Sequence, residues 1–556
     1  MFIRIKQNPK SAKKNVQIVQ SMRKGNSIVQ KIVRHVGAAL DEKELEQLKL
    51  LAQSIKEKME AENKGLLFSP EELAKVTITK DKLAQSQEYA EADYIVNVKN
   101  LKEEDRIVSG IHDVYGKLFD ELGYDNVLRN PARNVNSAQI LKDIVMARIA
   151  NPVSKMASVS MLEENFGVSI KLDQVYQMMD KLDDVAIERL KNISYHNTSA
   201  LFGQKIDLVF FDCTTLYFES FTEDEFKENG YSKDLKFNQP QVLLALMVTK
   251  EGLPIGYEVF PGSTYEGHTL VPMIKNFRQR YHIDKVLFVA DAGMMNKENI
   301  ALLEAEDIEY IVGCRLKNLN KEMQDQITEH ANYTQIAENV KIAKFAYNGQ
   351  QIIVSYSAQR ARKDAADRNK AIERLRKKLT TMKNPKEYLS NYGYKKYLKI
   401  EGTTKFILDE EKIQAAQIWD GLHGVITNNH SLTSQEILAQ YNNLWQVEEA
   451  FRVTKHDLKV RPIYHWSPAR VRAHLAISYL AFSLVKYLEY RVKVQYQKMS
   501  PEKIRQTLLN VQTSIMFDAT KNIRYAFPSK ISSEAKKIYQ ICTISRYLTP
   551  YILKKL

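Results

Sequence analysis

The sequence predicts an α/β protein built on a mixed sheet, with mostly helical regions on either side of it. Three observations predict this class. Apolar runs rich in β-branched and aromatic residues, typical of buried strands, begin at Asp207. Amphipathic segments of helix length alternate with these runs after residue 268. From about residue 100 to residue 200, by contrast, the pattern is helical throughout.

The N-terminal part of the chain combines short strands with helices. Residues 1–36 contain the β-like pieces MFIRI and SIVQKIV, and residues 41–59 (DEKELEQLKLLAQSIKEKM) predict an amphipathic helix. A polar linker is expected over residues 60–95. Within the helical stretch that follows, KLDQVYQMMDKL fits either part of a helix-turn-helix or a plain packing helix.

Seven segments between residues 207 and 316 predict the mixed sheet and its first helices. The expected strands are DLVFFDCTTLYF (207–218), QVLLALMVT (241–249), IGYEVF (255–260), KVLFVADAG (285–293) and IEYIVGCRL (308–316). The expected helices are HTLVPMIKNFRQRY (268–281) and NKENIALLEAED (296–307). A helix between strands favours a layered α/β arrangement.

Residues 317–425 interrupt this core. They contain four weak strands (KIAKFAY, QQIIVSYS, KKYLKI and TKFILD) and one basic helix, AQRARKDAADRNKAIERLRKKLTTM (358–382). The basic helix fits either a solvated helix packed on its own strands or a contact with a partner or DNA. Farther on, LAISYLAFSLV (475–485) is too short to span a bilayer and predicts a buried helix.

Composition narrows the functional class. A chain of 556 residues predicts two to four domains, and its net charge of +14 favours an anionic partner, first of all nucleic acid, over a basic protein without one. Its three cysteines form no CxxC pair, which argues against a zinc site or a disulfide framework. With no apolar leader at the N-terminus, we expect a cytoplasmic protein. The absence of a GxxxxGK[ST] loop disfavours a nucleotide-driven motor.

Two aspartates lie in or beside predicted buried strands. Asp212 sits between Phe211 and Cys213, and Asp291 follows the run VLFVA directly. A buried carboxylate is costly unless it is paired or bound to a metal. Each aspartate alone could be a strand-terminal cap, but two in one sheet predict a shared site.

A third acid comes from the segment YNNLWQVEEAFRVTK (441–455). Thr433 and Glu436 form a capping box, which predicts a helix that begins near Thr433 and runs through this segment. On a regular helix one stripe contains Tyr441, Trp445, Glu448, Arg452 and Lys455, beside an apolar stripe of Leu444, Val447, Phe451 and Leu458. Glu449 then faces water, so Glu448 is the candidate ligand. An ordinary Glu448–Arg452 ion pair is the alternative.

Three converging carboxylates suit hard divalent cations such as Mg²⁺, which prefer oxygen ligands. Two such ions activate a nucleophile and stabilise the leaving oxygen in phosphodiester chemistry. Cations that suit a phosphate backbone cluster after Glu448, and aromatic side chains there could stack on bases. The cations are Arg452, Lys455, Lys459, Arg461, Arg470 and Arg472, and the aromatic residues are Tyr441, Trp445 and Trp466.

Together these motifs resemble the DDE transposases of bacterial insertion sequences whose third acid lies in a Y-x2-R-x3-E-x6-K signature. Tyr441, Glu448 and Lys455 occupy the Y, E and K positions. Asp212 in FFDCTTLYFE and Asp291 in FVADAGM match the first two acids. The resemblance covers roughly residues 100–490. One position departs from the signature, since Leu444 stands where the arginine is expected.

The resemblance implies a ribonuclease H-like core with a β-rich insertion. The expected regions are an N-terminal β/helical region (1–95), a helical DNA-binding region (96–204), the core in two parts (205–316 and 426–490), the insertion (317–425) and a C-terminal helical region (491–556). The first of these is also expected to bind DNA.

The implied activity is cleavage at transposon ends and joining of the 3′-hydroxyl to target DNA. The implied cofactor is Mg²⁺, with Mn²⁺ as a substitute, held by Asp212, Asp291 and Glu448. Tyr441 and Lys455 are expected to hold scissile-strand phosphate, Arg452 to take over from the missing arginine, and Trp445 to stack on a base. A homodimer on double-stranded DNA is the expected assembly. A nuclease without joining activity and a non-catalytic DNA-binding protein remain alternatives.

Overall fold

A computed structural model describes residues 2–7, 14–24, 27–39, 45, 48–49, 52–53, 56, 91–203, 206–219, 222–224, 226–230, 238–281, 286–294, 296–381, 397–401 and 405–555. Most of the helix predicted over residues 41–59 and of the linker predicted over residues 60–95 lies outside the described residues. The chain divides into two compact units. The first consists of Met1–Ile107, Gln512–Lys530 and Arg546–Leu556, and the second of Val108–Val511 and Ile531–Ser545.

Strands and helices follow one another along the whole described chain. The strands are β1 (Phe2–Gln7), β2 (Lys14–Lys24), β3 (Ser27–Ala39), β4 (Leu101–Val108), β5 (Leu208–Tyr217), β6 (Gln241–Val248), β7 (Pro254–Pro261), β8 (Leu287–Ala290), β9 (Glu309–Cys314), β10 (Thr334–Ala337), β11 (Val340–Tyr347), β12 (Gln350–Ser357), β13 (Leu398–Glu401), β14 (Lys405–Leu408), β15 (Leu422–Thr427), β16 (Gln512–Asp518), β17 (Ile523–Pro528) and β18 (Tyr551–Lys555).

The helices are α1 (Glu91–Tyr94), α2 (Lys117–Glu121), α3 (Val135–Ala150), α4 (Lys155–Phe166), α5 (Leu172–Asp180), α6 (Asp184–Leu201), α7 (Leu270–Tyr281), α8 (Lys297–Ala305), α9 (Lys321–Thr328), α10 (Ala358–Thr381), α11 (Glu410–Gln417), α12 (Ser434–Asn442), α13 (Trp445–Arg452), α14 (Pro468–Gln495), α15 (Pro501–Leu509) and α16 (Ser533–Ile541). A π-helical turn, Val453–Asp457, follows α13 directly. The strands and helices predicted between residues 207 and 316 are thus confirmed.

The first unit contains two antiparallel sheets, one in the order β1-β2-β3 and one in the order β18-β17-β16-β4. The second sheet corrects the prediction of a helical C-terminal region, because residues 491–556 contribute three of its strands. Ile523 and Tyr525 are buried on either side of the half-buried Arg524. This two-residue alternation is typical of a strand with one covered face and not of a helix.

The second unit is built on a nine-stranded sheet in the order β10-β11-β12-β15-β9-β8-β5-β6-β7. Strands β5, β8 and β9 are parallel to one another, whereas β6 and β7 are antiparallel to their neighbours. A central first strand, with an antiparallel hairpin on one side and two parallel strands on the other, is the ribonuclease H-like arrangement. The predicted fold class is therefore confirmed.

The insertion extends this sheet. Strand β15 pairs with the outer edge of β9, from Gly424 opposite Cys314 to Thr427 opposite Ile311, and β12, β11 and β10 follow outward. The backbone groups along the edge of β9, which would otherwise need another partner, are thereby paired. The basic helix α10 leaves the end of β12, and β13 and β14 form a separate two-stranded sheet.

Apolar side chains cover both faces of the central sheet. Phe210 on β5 and Val289 on β8 belong to a core that includes residues of α13 and α14. Phe211 and Phe288 point to the opposite face, where residues of α7 and α8 pack. Leu475–Val485 lies inside α14 and is buried, as predicted. Within the described residues, every helix is too short or too polar to span a bilayer.

The helices before the sheet pack on the face that α14 covers. Helix α5, which contains most of KLDQVYQMMDKL, buries Val175, Met178 and Met179 in that core and contacts α3. This burial agrees with the packing interpretation of the segment. Residues of α3, α4 and α5 line one cavity together with residues 459–465, so these helices lie beside the chain that follows the π-helical turn.

Candidate active site on the central sheet

The two predicted strand acids occupy neighbouring positions on adjacent parallel strands. Phe211 on β5 is paired with Ala290, the last residue of β8, so the next residues along the chain are Asp212 on β5 and Asp291 directly after β8. Alternation along β5 puts Asp212 on the same face as Phe210, the face that α13 and α14 cover. Because adjacent strands lie about 4.8 Å apart, the sheet brings these two residues side by side.

Asp212 is half-buried and Asp291 is exposed. An Asp212 carboxylate oxygen accepts a hydrogen bond from the backbone N–H of Cys213 at 2.8 Å. Asp291 stands immediately after β8, where the sheet ends and a single 3₁₀ turn, Ala292–Met294, begins. Its exposure follows from this position at the strand end.

Tyr441 lies against Asp291. Its side chain is 9% exposed, and its hydroxyl donates to a carboxylate oxygen of Asp291 at 3.4 Å. Burial, and then the charge of Asp291, raise the pKa of Tyr441, so the phenol stays protonated and remains a donor. A buried phenol with this partner is placed to orient Asp291, whereas direct contact with a DNA phosphate was expected.

The helix predicted to run from Thr433 through residue 455 is interrupted. Thr433 and Glu436 form the predicted capping box, but α12 ends at Asn442 and α13 begins at Trp445. Between them the backbone N–H groups of Leu444, Gln446 and Val447 bond to carbonyls three residues back, at 3.0 to 3.1 Å. These tighter turns change the angular phase of the helix, so a projection at a constant 100° per residue fails across the break.

The break changes the surroundings of the two glutamates. Glu448 is exposed and lines the same cavity as Asp291. Glu449, which was predicted to face water, is half-buried and binds the Arg452 guanidinium through two hydrogen bonds of 2.7 Å. That prediction is wrong, and so is the alternative Glu448–Arg452 ion pair, because Arg452 is held by Glu449 and Asp457 instead.

The cavity beside Asp291 has a volume of about 890 Å³. The predicted residues Tyr441, Trp445 and Glu448 line it, together with Arg360 and Lys363 from the basic helix α10. Trp445 is 49% exposed, which leaves much of its ring accessible. The cavity thus brings two of the three predicted acids together with cations and an exposed indole ring.

Three of the predicted residues do not line this cavity. Asp212 lies beside Asp291 in the sheet but is not part of the cavity wall. Lys455 lies on the π-helical turn, half-buried, with its ammonium 6.0 Å from the ring centre of Phe451. Arg452 is held by its two carboxylate partners. The helix break and the π-helical turn together carry residues 452–455 out of the predicted stripe.

The structure also places four residues at the site that sequence reasoning missed. Arg360 and Lys363 come from the insertion, and only their position in a basic helix could have indicated them. The ring of His423 lies 5.2 Å from that of Tyr441, and burial lowers its pKa, with a smaller contribution from Arg360, so the imidazole is neutral at pH 7. The fourth residue is Glu266. One of its carboxylate oxygens and one of Asp291 each lie 3.8 Å from the point where a Cβ would stand at Gly293, so the two carboxylates are near each other.

Gly313 on β9 leaves the space that Tyr441 needs. A Cβ there would overlap the Tyr441 hydroxyl and lie 2.8 Å from the backbone nitrogen of Ala292. We expect Gly313→Ala to displace Tyr441 and to reduce the predicted DNA cleavage by about tenfold, since removal of an orienting partner of a metal ligand, the role predicted for Asp291, has effects of this size. Overpacking should also lower the free energy of unfolding by about 1–3 kcal/mol. Cleavage rates and denaturant unfolding measure the two effects.

Gly256→Ala on β7 is the matched control, because its Cβ would meet only Met247 at an ordinary 3.6 Å. Tyr441→Phe removes the hydroxyl without crowding and should reproduce the loss of cleavage but not the full loss of stability. If Gly313→Ala cleaves DNA at the wild-type rate, Tyr441 does not orient Asp291 for cleavage.

The predicted ligands fit a divalent cation in their chemistry. Asp212, Asp291 and Glu448 offer only carboxylate oxygens, which Mg²⁺ and similar ions prefer. Among the described residues, however, no three His, Cys, Asp or Glu side chains lie close enough together to form a metal site. Asp291 and Glu448 are exposed at the cavity, so their side chains have room to reorient toward an ion.

Comparisons with known proteins bear on the same part of the chain. The family model of the transposase DDE domain matches residues 203–484, just over half of the chain. One similar solved structure is the cryo-EM synaptic complex of piggyBac transposase with hairpin DNA, with a TM-score of 0.37, 9% identity, and coverage of 72% of this chain and 77% of that chain. Another is the Mos1 transposase paired-end complex with the left transposon end, with a TM-score of 0.14, 15% identity, and coverage of 31% and 57%. The curated proteins contain no match.

Proposed function

We propose that this chain, which belongs to the DDE transposase family, cuts DNA at the ends of an insertion sequence and joins the freed 3′-hydroxyl to target DNA. One observation carries the proposal. The two strand acids, Asp212 and Asp291, stand side by side on parallel strands, and Glu448 faces the cavity at which Asp291 is exposed. This arrangement supports the proposal, because reorientation of the exposed Asp291 and Glu448 side chains would let them share an ion with Asp212.

DDE transposases use divalent metal ions. Asp212, Asp291 and Glu448 would hold Mg²⁺, or Mn²⁺ in its place, and the ions would activate the nucleophile and stabilise the leaving oxygen. Tyr441 keeps the Asp291 carboxylate oriented through its hydroxyl. Trp445, with about half of its surface accessible, would stack on a base near the cut.

Arg360, a residue of the insertion, supplies a cation at the cavity that the family signature takes from elsewhere in the chain. The family signature has an arginine where this chain has Leu444, and Leu444 is buried. Arg360 of α10 is exposed in the wall of the same cavity, with Lys363 beside it. We propose that these insertion residues bind the phosphates of the DNA strand at the cut, in place of Arg452, which is already paired.

Arg360→Gln should therefore weaken DNA binding and cleavage. The loss of one phosphate contact should reduce the slope of log K against log salt concentration by about 0.9. Arg362→Gln is the control, because Arg362 is exposed on the same helix but does not line the cavity. Fluorescence anisotropy over a salt series measures both variants. Equal slopes for the two variants would remove Arg360 from the DNA-contacting surface.

The proposal extends to assembly and to the remaining regions. The active complex is a homodimer on paired double-stranded ends, and residues 1–95 and 96–204 contribute to end binding. The net charge of +14 supports a polyanionic partner of this kind.

An assay that separates cutting from joining tests the function. A labelled duplex carrying the inverted repeats that flank the gene is incubated with the full chain, Mg²⁺ and a supercoiled target plasmid. A transposase yields labelled plasmid. Cut ends without labelled plasmid would indicate the alternative nuclease, and uncut but retarded DNA would indicate a non-catalytic DNA-binding protein.

A further inference from the structure

A second cavity, of about 660 Å³, lies in the same unit as the candidate active site. It is lined by basic and imidazole side chains, and none of its lining residues is acidic: Arg148, Lys155, Lys459, Arg461, His465 and His474. Arg148 is near the end of α3 and Lys155 begins α4, whereas the other four come from the chain that follows the π-helical turn and from α14. We call this cavity the Arg148–Lys155 pocket.

The two buried cations of this pocket, Arg148 and Lys155, lack the carboxylate partner that the other buried cations of the described residues have. Seven Lys or Arg residues are buried in the described part of the chain, and five of them form ion pairs: Lys191, Lys227, Arg368, Lys486 and Arg491. Arg148 and Lys155, which are 5% and 6% exposed, have no carboxylate partner among the described residues. An unpaired buried charge is costly, so an anion that binds between Arg148 and Lys155 would relieve that cost.

Local hydrogen bonding leaves Arg148 and Lys155 available to a ligand. Arg148 donates from Nη1 to the carbonyls of Leu458 at 2.8 Å and of Lys459 at 3.4 Å, while its buried Nε has no hydrogen-bond partner in the described residues. Burial lowers the pKa of Arg148 to about 10, so it remains charged at pH 7. Burial, and then Arg148, lower the pKa of Lys155 well below its usual value.

The first turn of α4 adds further positive character. Ser154 caps this twelve-residue helix by accepting from the N–H of Ala157 at 3.2 Å, and residues 152–157 line the pocket. Backbone N–H groups at a helix N-terminus attract anions, phosphate groups above all. The buried cations and the N-terminus of α4 therefore both favour an anionic ligand such as a phosphate group.

The rim of the pocket is apolar and exposed. Tyr464 is 64% exposed and Met156 is 67% exposed, and both line it. Tyr176 also lines it, with the guanidinium of Arg470 4.8 Å from its ring centre. A rim of this kind suits a flat aromatic group above an anion, which is the chemistry of a nucleotide. The volume lies within the range of about 300–1,000 Å³ that holds small organic ligands.

We propose that the Arg148–Lys155 pocket binds one unpaired nucleotide of a DNA strand, with its phosphate against Arg148 and Lys155 and its base on Tyr464. This inference rests on the proposed function, since that function makes DNA the ligand at hand. The pocket is a site separate from the cavity at Asp291, because the two share no lining residue.

Calorimetry on the full chain in EDTA tests the pocket without any catalysis. The probes are the dinucleotide d(pTpT), inorganic phosphate and thymidine. We expect d(pTpT) to bind most tightly and Lys155→Met to weaken it by about tenfold, the effect of one hydrogen bond to a charged group. Tyr464→Ala should weaken d(pTpT) by about fivefold or more through lost stacking, and leave inorganic phosphate unchanged.

Lys537→Met is the control, because Lys537 is exposed on α16 and does not line the pocket. Lys155→Met should also unfold at the same or a higher temperature than the wild type, since it replaces a buried amino group that has no carboxylate partner with an apolar side chain of similar length. Equal d(pTpT) affinities for Lys155→Met and Lys537→Met would overturn the proposal. If inorganic phosphate and d(pTpT) bind equally tightly and Tyr464→Ala has no effect, the pocket binds anions in general, and the proposal that it binds a nucleotide is wrong.

If Lys155→Met fails to fold, Tyr464→Ala still tests the pocket, because Tyr464 is exposed and its replacement should not disturb the fold. The outcome is also independent of the proposed function. A normal d(pTpT) affinity in Lys155→Met, together with active strand transfer by the wild type, rejects only the pocket. Weakened d(pTpT) binding in a chain that neither cuts nor joins DNA rejects only the transposase reaction.

Discussion

Replacing Asp291 with Asn is expected to abolish DNA cleavage while the fold remains intact. The amide has nearly the same size, and its oxygen still accepts the hydrogen bond from Tyr441, but it carries no charge for a divalent ion. Metal ions stabilise the charge of such transition states by several kcal/mol, which corresponds to roughly a hundredfold or more in rate. Because Asp291 is exposed, its desolvation contributes little to stability, so the unfolding midpoint should hardly change.

Asp364→Asn is the matched control for this change. Asp364 lines the same cavity, where its carboxylate accepts from the backbone N–H of Gly421 at 3.0 Å, an interaction that an amide oxygen can replace. Single-turnover cleavage of labelled end DNA compares the two variants, with Asp212→Asn expected to behave as Asp291→Asn does. Equal losses in Asp364→Asn and Asp291→Asn would show that cavity charge in general, and not this acid, supports cleavage.

Local sequence signals predicted the part of the fold that holds the strand acids. The runs around Asp212 and Asp291 are apolar, short and rich in β-branched and aromatic residues, and such runs favour buried strands. A common sheet for Asp212 and Asp291 could therefore be expected from the sequence. That β5 and β8 are parallel neighbours could not, because the hairpin of β6 and β7 and the helix α7 separate them in the chain.

The remainder of the site depends on contacts between distant parts of the chain. Nothing in the sequence of β15 indicates that it pairs with the edge of β9, yet this pairing carries the start of α10, and with it Arg360, into the wall of the cavity. The helix break at Asn443 has neither glycine nor proline to mark it. In the C-terminal sheet, likewise, β16 pairs with β4, which lies about 400 residues earlier in the chain, and β17 and β18 follow outward from β16.

The family resemblance and the helix projection selected Glu448 for different reasons. The signature fixes Glu448 by its spacing from Tyr441, which does not depend on helix geometry. The projection assumed one continuous helix, and it placed Glu449 in water, where the structure has a half-buried ion pair. Only the spacing argument therefore carries over to the folded chain.

Glu448→Gln and Glu449→Gln are expected to have opposite effects. Glu448→Gln should reduce cleavage by roughly a hundredfold or more, by the same loss of charge at the metal as in Asp291→Asn, and leave stability nearly unchanged because Glu448 is exposed. Glu449→Gln should retain cleavage, because its carboxylate binds Arg452 and does not line the cavity. Its expected cost is about 1 kcal/mol of unfolding free energy, the upper end for an ion pair whose Arg452 side is half-exposed.

The effect of Glu449→Gln on stability should depend on pH. The hydrogen bonds from Arg452 lower the pKa of Glu449 in the folded chain, so the ion pair stabilises the protein above the unfolded pKa of glutamate, about 4.3. That contribution is lost as pH falls through the lowered folded pKa, and the stability difference between wild type and Glu449→Gln should shrink in this range. Urea unfolding at pH 7 and at the acid limit of folding measures it. If Glu449→Gln abolishes cleavage while Glu448→Gln does not, the third acid of the site has been misassigned, since the exposed carboxylate at the cavity would then be dispensable.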